Sequence, residues 1–89
     1  MEHHFYPSEQ TIYRMPRIVE DTGNSRSTIY LRVSQGLWPH PVKLGARASG
    51  WPAREVAAMN AARIAGKSET AIRALVLQLE SERKNALRV

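Results

Sequence analysis

A chain of 89 residues has room for one compact domain and an appended helix, but not for two independent cores. Its 43% apolar residues make folding feasible, and the lack of cysteine excludes disulfides, thiolate zinc sites and cysteine nucleophiles. The net charge of +5 is unevenly spread: no acid lies between Asp21 and Glu55, whereas Arg26, Arg32, Lys43, Arg47 and Arg54 do, a one-signed stretch suited to a polyanion such as nucleic acid or an acidic membrane surface.

Residues 1–12 show no helical period and carry Pro7 in their midst, which predicts an arm ending in an extended piece at Thr11-Ile12-Tyr13. Pro16 suits the first turn of a helix, where its missing N–H is not needed, so a short helix is expected through Thr22 with Ile18 and Val19 inward. Gly23 is placed to end it in a left-handed conformation, and Asn24-Ser25 offers a cap for a second helix. That helix is expected over Arg26 to Gln35, with Ile29 and Val33 inward, Tyr30 beside them and Gly36 closing it. Two short helices joined through a glycine have the layout of a helix-turn-helix.

Trp38-Pro39-His40-Pro41 forbids helix. Val42-Lys43-Leu44 then alternates, Gly45-Ala46-Arg47-Ala48 reads as a loop and Ser49-Gly50-Trp51 as a returning strand, together a β-hairpin wing with a basic tip. Pro52 precedes an alanine-rich helix expected over Ala53 to Ala65, with Val56 and Met59 inward, and Gly66 breaks it. Ser68 caps a fourth helix whose Ile72, Leu75, Val76 and Leu79 recur at helical spacing; beyond Glu80 the stripe fades and fraying is expected. The fold class is mainly α with a small β-hairpin: an arm over 1–12, a winged helix-turn-helix over 13–66 and a C-terminal helix over 67–89.

Counting about 100° per residue places Ser27, Thr28, Leu31 and Gln35 opposite the Ile29/Val33 face, with Arg32 at its edge. The N-terminal end of such a helix is the part that enters a major groove, so Arg26, Ser27 and Thr28 have the best access to base edges and nearby phosphates. Tyr30 either reaches a phosphate through its hydroxyl or is a half-buried core residue. Lys43 and Arg47 on the wing would follow the backbone or enter the minor groove; the bland alternative is a solubilising hairpin. Trp38 and Trp51 fit a core role better than base stacking. His3, His4 and His40 have no metal-ligand spacing, and Glu20, Asp21 and Glu55 are accounted for by solvent exposure or a helix dipole.

Tyr13-Arg14-Met15-Pro16, Val19-Glu20-Asp21-Thr22-Gly23, Ser25-Arg26-Ser27-Thr28-Ile29-Tyr30, Gly36, Pro39, Pro41-Val42-Lys43-Leu44-Gly45 and Gly50-Trp51 occur together in this order. From Tyr13 to Ala65 the chain resembles the AlpA-like prophage regulatory proteins, a group related to MerR-type winged helices and phage excisionases. It departs from their usual pattern at Asn24, at Leu31-Arg32 and at Met59-Asn60, the last of which implies a less tightly packed third helix. The resemblance implies DNA contact by Arg26, Ser27, Thr28 and Tyr30 on the helix and by Lys43 and Arg47 on the wing.

The expected function is sequence-preferring binding of double-stranded DNA by a transcriptional regulator, with helix 25–35 in the major groove and wing 42–51 on the backbone or minor groove. Arg26, Ser27, Thr28, Tyr30, Arg32, Lys43 and Arg47 are the candidate DNA contacts. One alternative is an excisionase that bends attachment-site DNA; another, of a different class, is a protein-interaction module using helix 68–80. Homodimers and copies assembled side by side on DNA both stay open. No nucleophile motif, phosphate-cradling glycine loop or paired-carboxylate pattern supports an enzyme, and no cofactor, metal or small-molecule ligand is expected. No apolar run approaches the roughly 20 residues that span a bilayer, and Met1-Glu2-His3-His4-Phe5 lacks signal-peptide character, so a cytoplasmic protein is expected.

Overall fold

The computed structural model describes residues 10–88, with the side chain of residue 88 left out. The element order is β1 (Ile12–Tyr13), α1 (Met15–Thr22), α2 (Arg26–Ser34), β2 (Val42–Gly45), β3 (Ala48–Pro52), α3 (Ala53–Ile64), α4 (Glu69–Glu82) and a closing 3-10 helix (Arg83–Arg88). This is a winged helix-turn-helix with a C-terminal helix. Most of the arm expected over 1–12, and with it His3 and His4, lies outside the described residues.

The turn between α1 and α2 is fixed by short-range polar contacts. Gly23 takes φ 72°, a region other residues enter at a cost, and its N–H donates to the Val19 carbonyl at 2.9 Å. The Thr22 hydroxyl donates to the Ile18 carbonyl at 2.7 Å and accepts the Asn24 N–H at 3.1 Å. Asn24 therefore serves the turn through its backbone, without the apolar side chain usual there. Ser25 then caps α2, its Oγ accepting the Thr28 N–H at 3.1 Å. Ser68 does the same for α4 through Ala71, also at 3.1 Å.

Helices α2 and α3 end alike. After α2, Leu37 N–H reaches the Arg32 carbonyl at 2.8 Å and Gly36 N–H the Val33 carbonyl at 3.1 Å. After α3, Lys67 N–H reaches Ala62 at 3.1 Å and Gly66 N–H reaches Arg63 at 3.0 Å. Each is a Schellman motif, with Gly36 and Gly66 at positive φ satisfying carbonyls the helix leaves over.

The wing is not a free hairpin. The sheet order is β1-β3-β2, so β3 is the central strand, paired antiparallel with β1 (Ile12 opposite Pro52, Tyr13 opposite Trp51) and with β2 (Val42 opposite Gly50, Lys43 opposite Ser49). Ala48, expected in the loop, is instead the first residue of β3 and pairs with Gly45, the register shifting between Lys43 and Gly45. Gly50 sits where β1 comes close: a Cβ there would lie 2.7 Å from Ile12 Cγ2 and 2.7 Å from the Tyr13 carbonyl oxygen.

One core joins every layer: Ile18 of α1, Ile29 of α2, Trp51 of β3, Val56 and Met59 of α3, and Ile72, Val76 and Leu79 of α4. Met59 has 0% exposure, so the departure at this position leaves no looseness in α3, and Asn60 adds a hydrogen bond to the Asp21 carbonyl at 3.2 Å. Trp51 is buried and its indole donates to the Pro39 carbonyl at 2.7 Å, fixing the wing to the proline segment before it. Burying side chains the size of Ile72, Val76 and Leu79 contributes roughly 1.5–3 kcal/mol each. The apolar stripe of α4 is thus spent inside the chain's own core, which removes the basis for an interaction module built on that stripe.

The C-terminal end corrects a further expectation. Where fraying was expected beyond Glu80, the chain stays helical, and Arg83 reaches back to Glu55 and to the His40 carbonyl. Glu55, expected at a solvated or dipole-facing position, has 0% exposure. A fading apolar stripe does not end a helix when its last turns are held by buried charge pairing. No helix among the described residues is long and apolar enough to cross a membrane.

Candidate nucleic-acid interface

Helix α2 buries Ile29 and presents the opposite side outward, with Ser27, Leu31, Ser34 and Gln35 all exposed. Arg26 is exposed at the first position, where its guanidinium lies over the Tyr30 ring, 5.8 Å from the centroid. Tyr30 is 42% exposed, so it belongs to the surface rather than to the core. Thr28 is half-buried, and its Oγ1 accepts a hydrogen bond from the capping Ser25 hydroxyl at 2.9 Å. That contact holds Thr28 at the start of the helix and leaves its hydroxyl proton for an outside acceptor. Arg32 is half-buried in the last turn. Leu31, at 55% exposure, is the large apolar side chain in the middle of this otherwise polar face.

On the wing, Lys43 lies in β2 and Arg47 in the turn that joins β2 to β3, both exposed. The Arg26/Tyr30 pair and Thr28 share the N-terminal half of α2, whereas Arg32 sits at the other end of the helix. Trp38 and Trp51 are buried, so neither offers a face for stacking bases.

The carboxylates are sorted away from these cations. Asp21 pairs with Arg17 at 2.9 Å, Glu69 with Arg73 at 3.7 Å, Glu82 with Arg54 at 3.5 Å, Glu55 with Arg83 at 2.7 Å and Glu80 with the His40 ring at 2.9 Å. Among the described residues, Arg26, Arg32, Lys43 and Arg47 have no carboxylate within ion-pair distance. Arg14, Arg63, Lys67 and Lys84 are in the same position, and the sequence reading singled out none of the four. Arg14, Lys67 and Lys84 carried no signal beyond their charge; Arg63, in the last turn of α3, gave no hint that its guanidinium feels the Arg32 charge. Arg26, Arg32, Lys43 and Arg47 of the acid-free run of sequence thus stand without a carboxylate partner, while Asp21, Glu55, Glu69, Glu80 and Glu82 are engaged by other partners.

The AlpA family model, described as "Prophage CP4-57 regulatory protein (AlpA)", matches residues 11–63. The chain belongs to the AlpA family. A relative in Enterobacteria phage P4, described as "Uncharacterized protein ORF88", is 38% identical over 60 residues, covering 67% of this chain and 68% of its own. No solved structure is matched. The AlpA match takes in β1, both helices of the helix-turn-helix, the wing and α3, and it stops before α4 and the 3-10 helix. Every candidate DNA contact read from the sequence, from Arg26 to Arg47, lies within the AlpA region.

Proposed function

We propose that the chain binds double-stranded DNA with a sequence preference and acts as a prophage-type transcriptional regulator, with α2 in the major groove and the wing on the backbone or minor groove. The carrying observation is a set of unpaired exposed cations beside polar groups: Arg26, Ser27, Thr28 and Tyr30 stand in the N-terminal half of α2, and Lys43 and Arg47 stand on the wing, with no carboxylate among the described residues within ion-pair distance of Arg26, Lys43 or Arg47. Membership of a family of prophage regulatory proteins supports the same reading. Arg26 can pair bidentately with guanine, the Ser27 and Thr28 hydroxyls serve bases or phosphates, and Leu31 fits against a thymine methyl. Lys43 and Arg47 contribute phosphate contacts without sequence information.

Fluorescence anisotropy with a selected-site duplex and a scrambled duplex, at two salt concentrations, tests this reading. Each phosphate contact adds about 0.9 to the slope of log affinity against log salt. Arg26→Ala is expected to cost roughly 1–3 kcal/mol on the selected site and less on the scrambled one. Arg47→Ala is expected to weaken both duplexes alike. Equal losses on the two duplexes for Arg26→Ala would remove it from base reading, and absence of binding to either duplex at low salt would overturn the function.

A further inference from the structure

Three helix ends meet at one corner of the molecule. Arg73 of α4 donates through Nε to the Gln35 carbonyl at 2.9 Å, and its Cγ lies 3.7 Å from where a Gly36 Cβ would stand. This fastens the start of α4 to the end of α2, while Ala62 and Ile72 pack behind in the shared core. The close of α3 joins them through the short 65–68 turn that runs on into α4. Partial burial and then the Arg32 charge hold the Arg63 guanidinium below its ordinary range, with Glu69 acting in the opposite sense. Glu69 is itself engaged with Arg73 at 3.7 Å. Lys67 follows in the Schellman turn and is exposed.

Like charges gathered at one corner, offset only in part by Glu69, oppose folding, and an outside anion relieves that repulsion. Arg32 lies one helical turn beyond the half-buried Thr28 and beside the exposed Leu31, so the corner borders the exposed face of α2. We propose that Arg32, Arg63 and Lys67 form a second contact patch for DNA backbone phosphates, extending the footprint past the recognition helix onto α3 and the turn that follows it. The proposal rests on the DNA-binding reading above. The patch holds phosphate oxygens, not base edges, so it adds affinity without sequence preference.

The test is the salt dependence of duplex binding for Arg63→Gln, Lys67→Gln and the double variant, with Lys84→Gln as a control for net charge. Lys84 follows the far end of α4, roughly 20 Å along the helix from this corner. Each patch substitution is expected to lower the salt slope by about 0.9, so a four-fold rise in salt costs the double variant about ten-fold less affinity than it costs the wild type. Selected and scrambled duplexes are expected to weaken by the same factor, and the melting temperature to stay level or rise. A double variant that keeps the wild-type slope while the wild type binds salt-sensitively overturns the patch alone. A per-charge loss just as large in Lys84→Gln assigns the effect to net charge and overturns it too. A wild type that binds no duplex at low salt overturns both the patch and the reading beneath it.

Discussion

Arg83 grips Glu55 with two parallel hydrogen bonds, Nε to Oε2 at 2.8 Å and Nη2 to Oε1 at 2.7 Å. The same Nη2 also donates to the His40 carbonyl at 2.6 Å, so the guanidinium ties α3 to the segment that leads into the wing. Both carboxylate oxygens of a buried side chain are satisfied by one planar fork, the arrangement in which arginine and lysine are least interchangeable.

Arg83→Ala strands Glu55 without a cation. Breaking a buried pair by deleting one partner typically costs 3–5 kcal/mol; Arg83 keeps 24% side-chain exposure, so about 3 kcal/mol is expected here. Thermal denaturation followed by circular dichroism is expected to show a midpoint lower by more than about 10 °C. The double replacement Glu55→Leu with Arg83→Met removes both charges and is expected to recover most of that loss. A double variant no more stable than Arg83→Ala would show that the fork does more than neutralise Glu55.

Gly50→Ala puts a methyl group 2.7 Å from Ile12 Cγ2 and from the Tyr13 carbonyl oxygen. The oxygen belongs to the backbone of β1 and cannot rotate away, so β1 has to shift off β3. A destabilisation of about 2 kcal/mol is expected in urea unfolding, within the usual range for overpacking. Gly45→Ala is the matched control, because a Cβ at Gly45 meets nothing within 4 Å.

The two tryptophans should respond differently to phenylalanine. Trp51 donates to the Pro39 carbonyl at 2.7 Å, so Trp51→Phe loses volume and also leaves that carbonyl without its donor. The Trp38 indole N–H is buried without a hydrogen-bond partner among the described residues, so Trp38→Phe removes an unsatisfied donor along with the volume. Trp51→Phe is expected to be the more destabilising by about 1 kcal/mol, read from urea midpoints.

Glu80 gives the fold a defined acid sensitivity. Burial acts to raise its pKa from the ordinary 4.5, but the His40 N–H and ring, both bonded to Oε2, and the Arg83 charge outweigh it and the net direction is downward. A carboxylate with a depressed folded-state pKa stabilises the fold fully above its unfolded value, and that contribution is lost as pH falls through the folded value. The stability gap between wild type and Glu80→Gln is therefore expected to be constant above about pH 5 and to close as pH drops below 4.5. Melting curves of both proteins between pH 3 and 7 measure it; a gap that widens toward acid would reverse the sign argued here.

Much of this architecture was readable because local chemistry sets it. Ser25 and Ser68 cap the helices they precede, Gly23, Gly36 and Gly66 take positive φ after the helices they end, and the wing alternates between its prolines and Trp51. The outward face of α2 followed from helical periodicity, and Ser27, Leu31 and Gln35 are indeed exposed. What escaped was pairing at a distance. The extended piece at Ile12–Tyr13 was expected, but its place beside β3 is set by a partner about 40 positions on. Glu55 and Arg83 look like ordinary solvated helix charges when read locally. The corner where Arg73 holds the end of α2 depends on how α4 meets α2, which no periodicity encodes.

The separation between Glu55 and its cation also has a meaning in time. A ribosome adds roughly 5–20 residues per second, so the 28 positions between the two residues correspond to a few seconds during which α3 exists without its counter-charge. Until Arg83 emerges, burying Glu55 in the core is opposed by the cost of an unpaired carboxylate, and the segment leading into the wing lacks the donor that holds His40. A product arrested between Lys67 and Arg83 carries every side chain of the candidate DNA face and still lacks the clasp that sets the wing, which separates truncated chains from finished ones before either meets DNA.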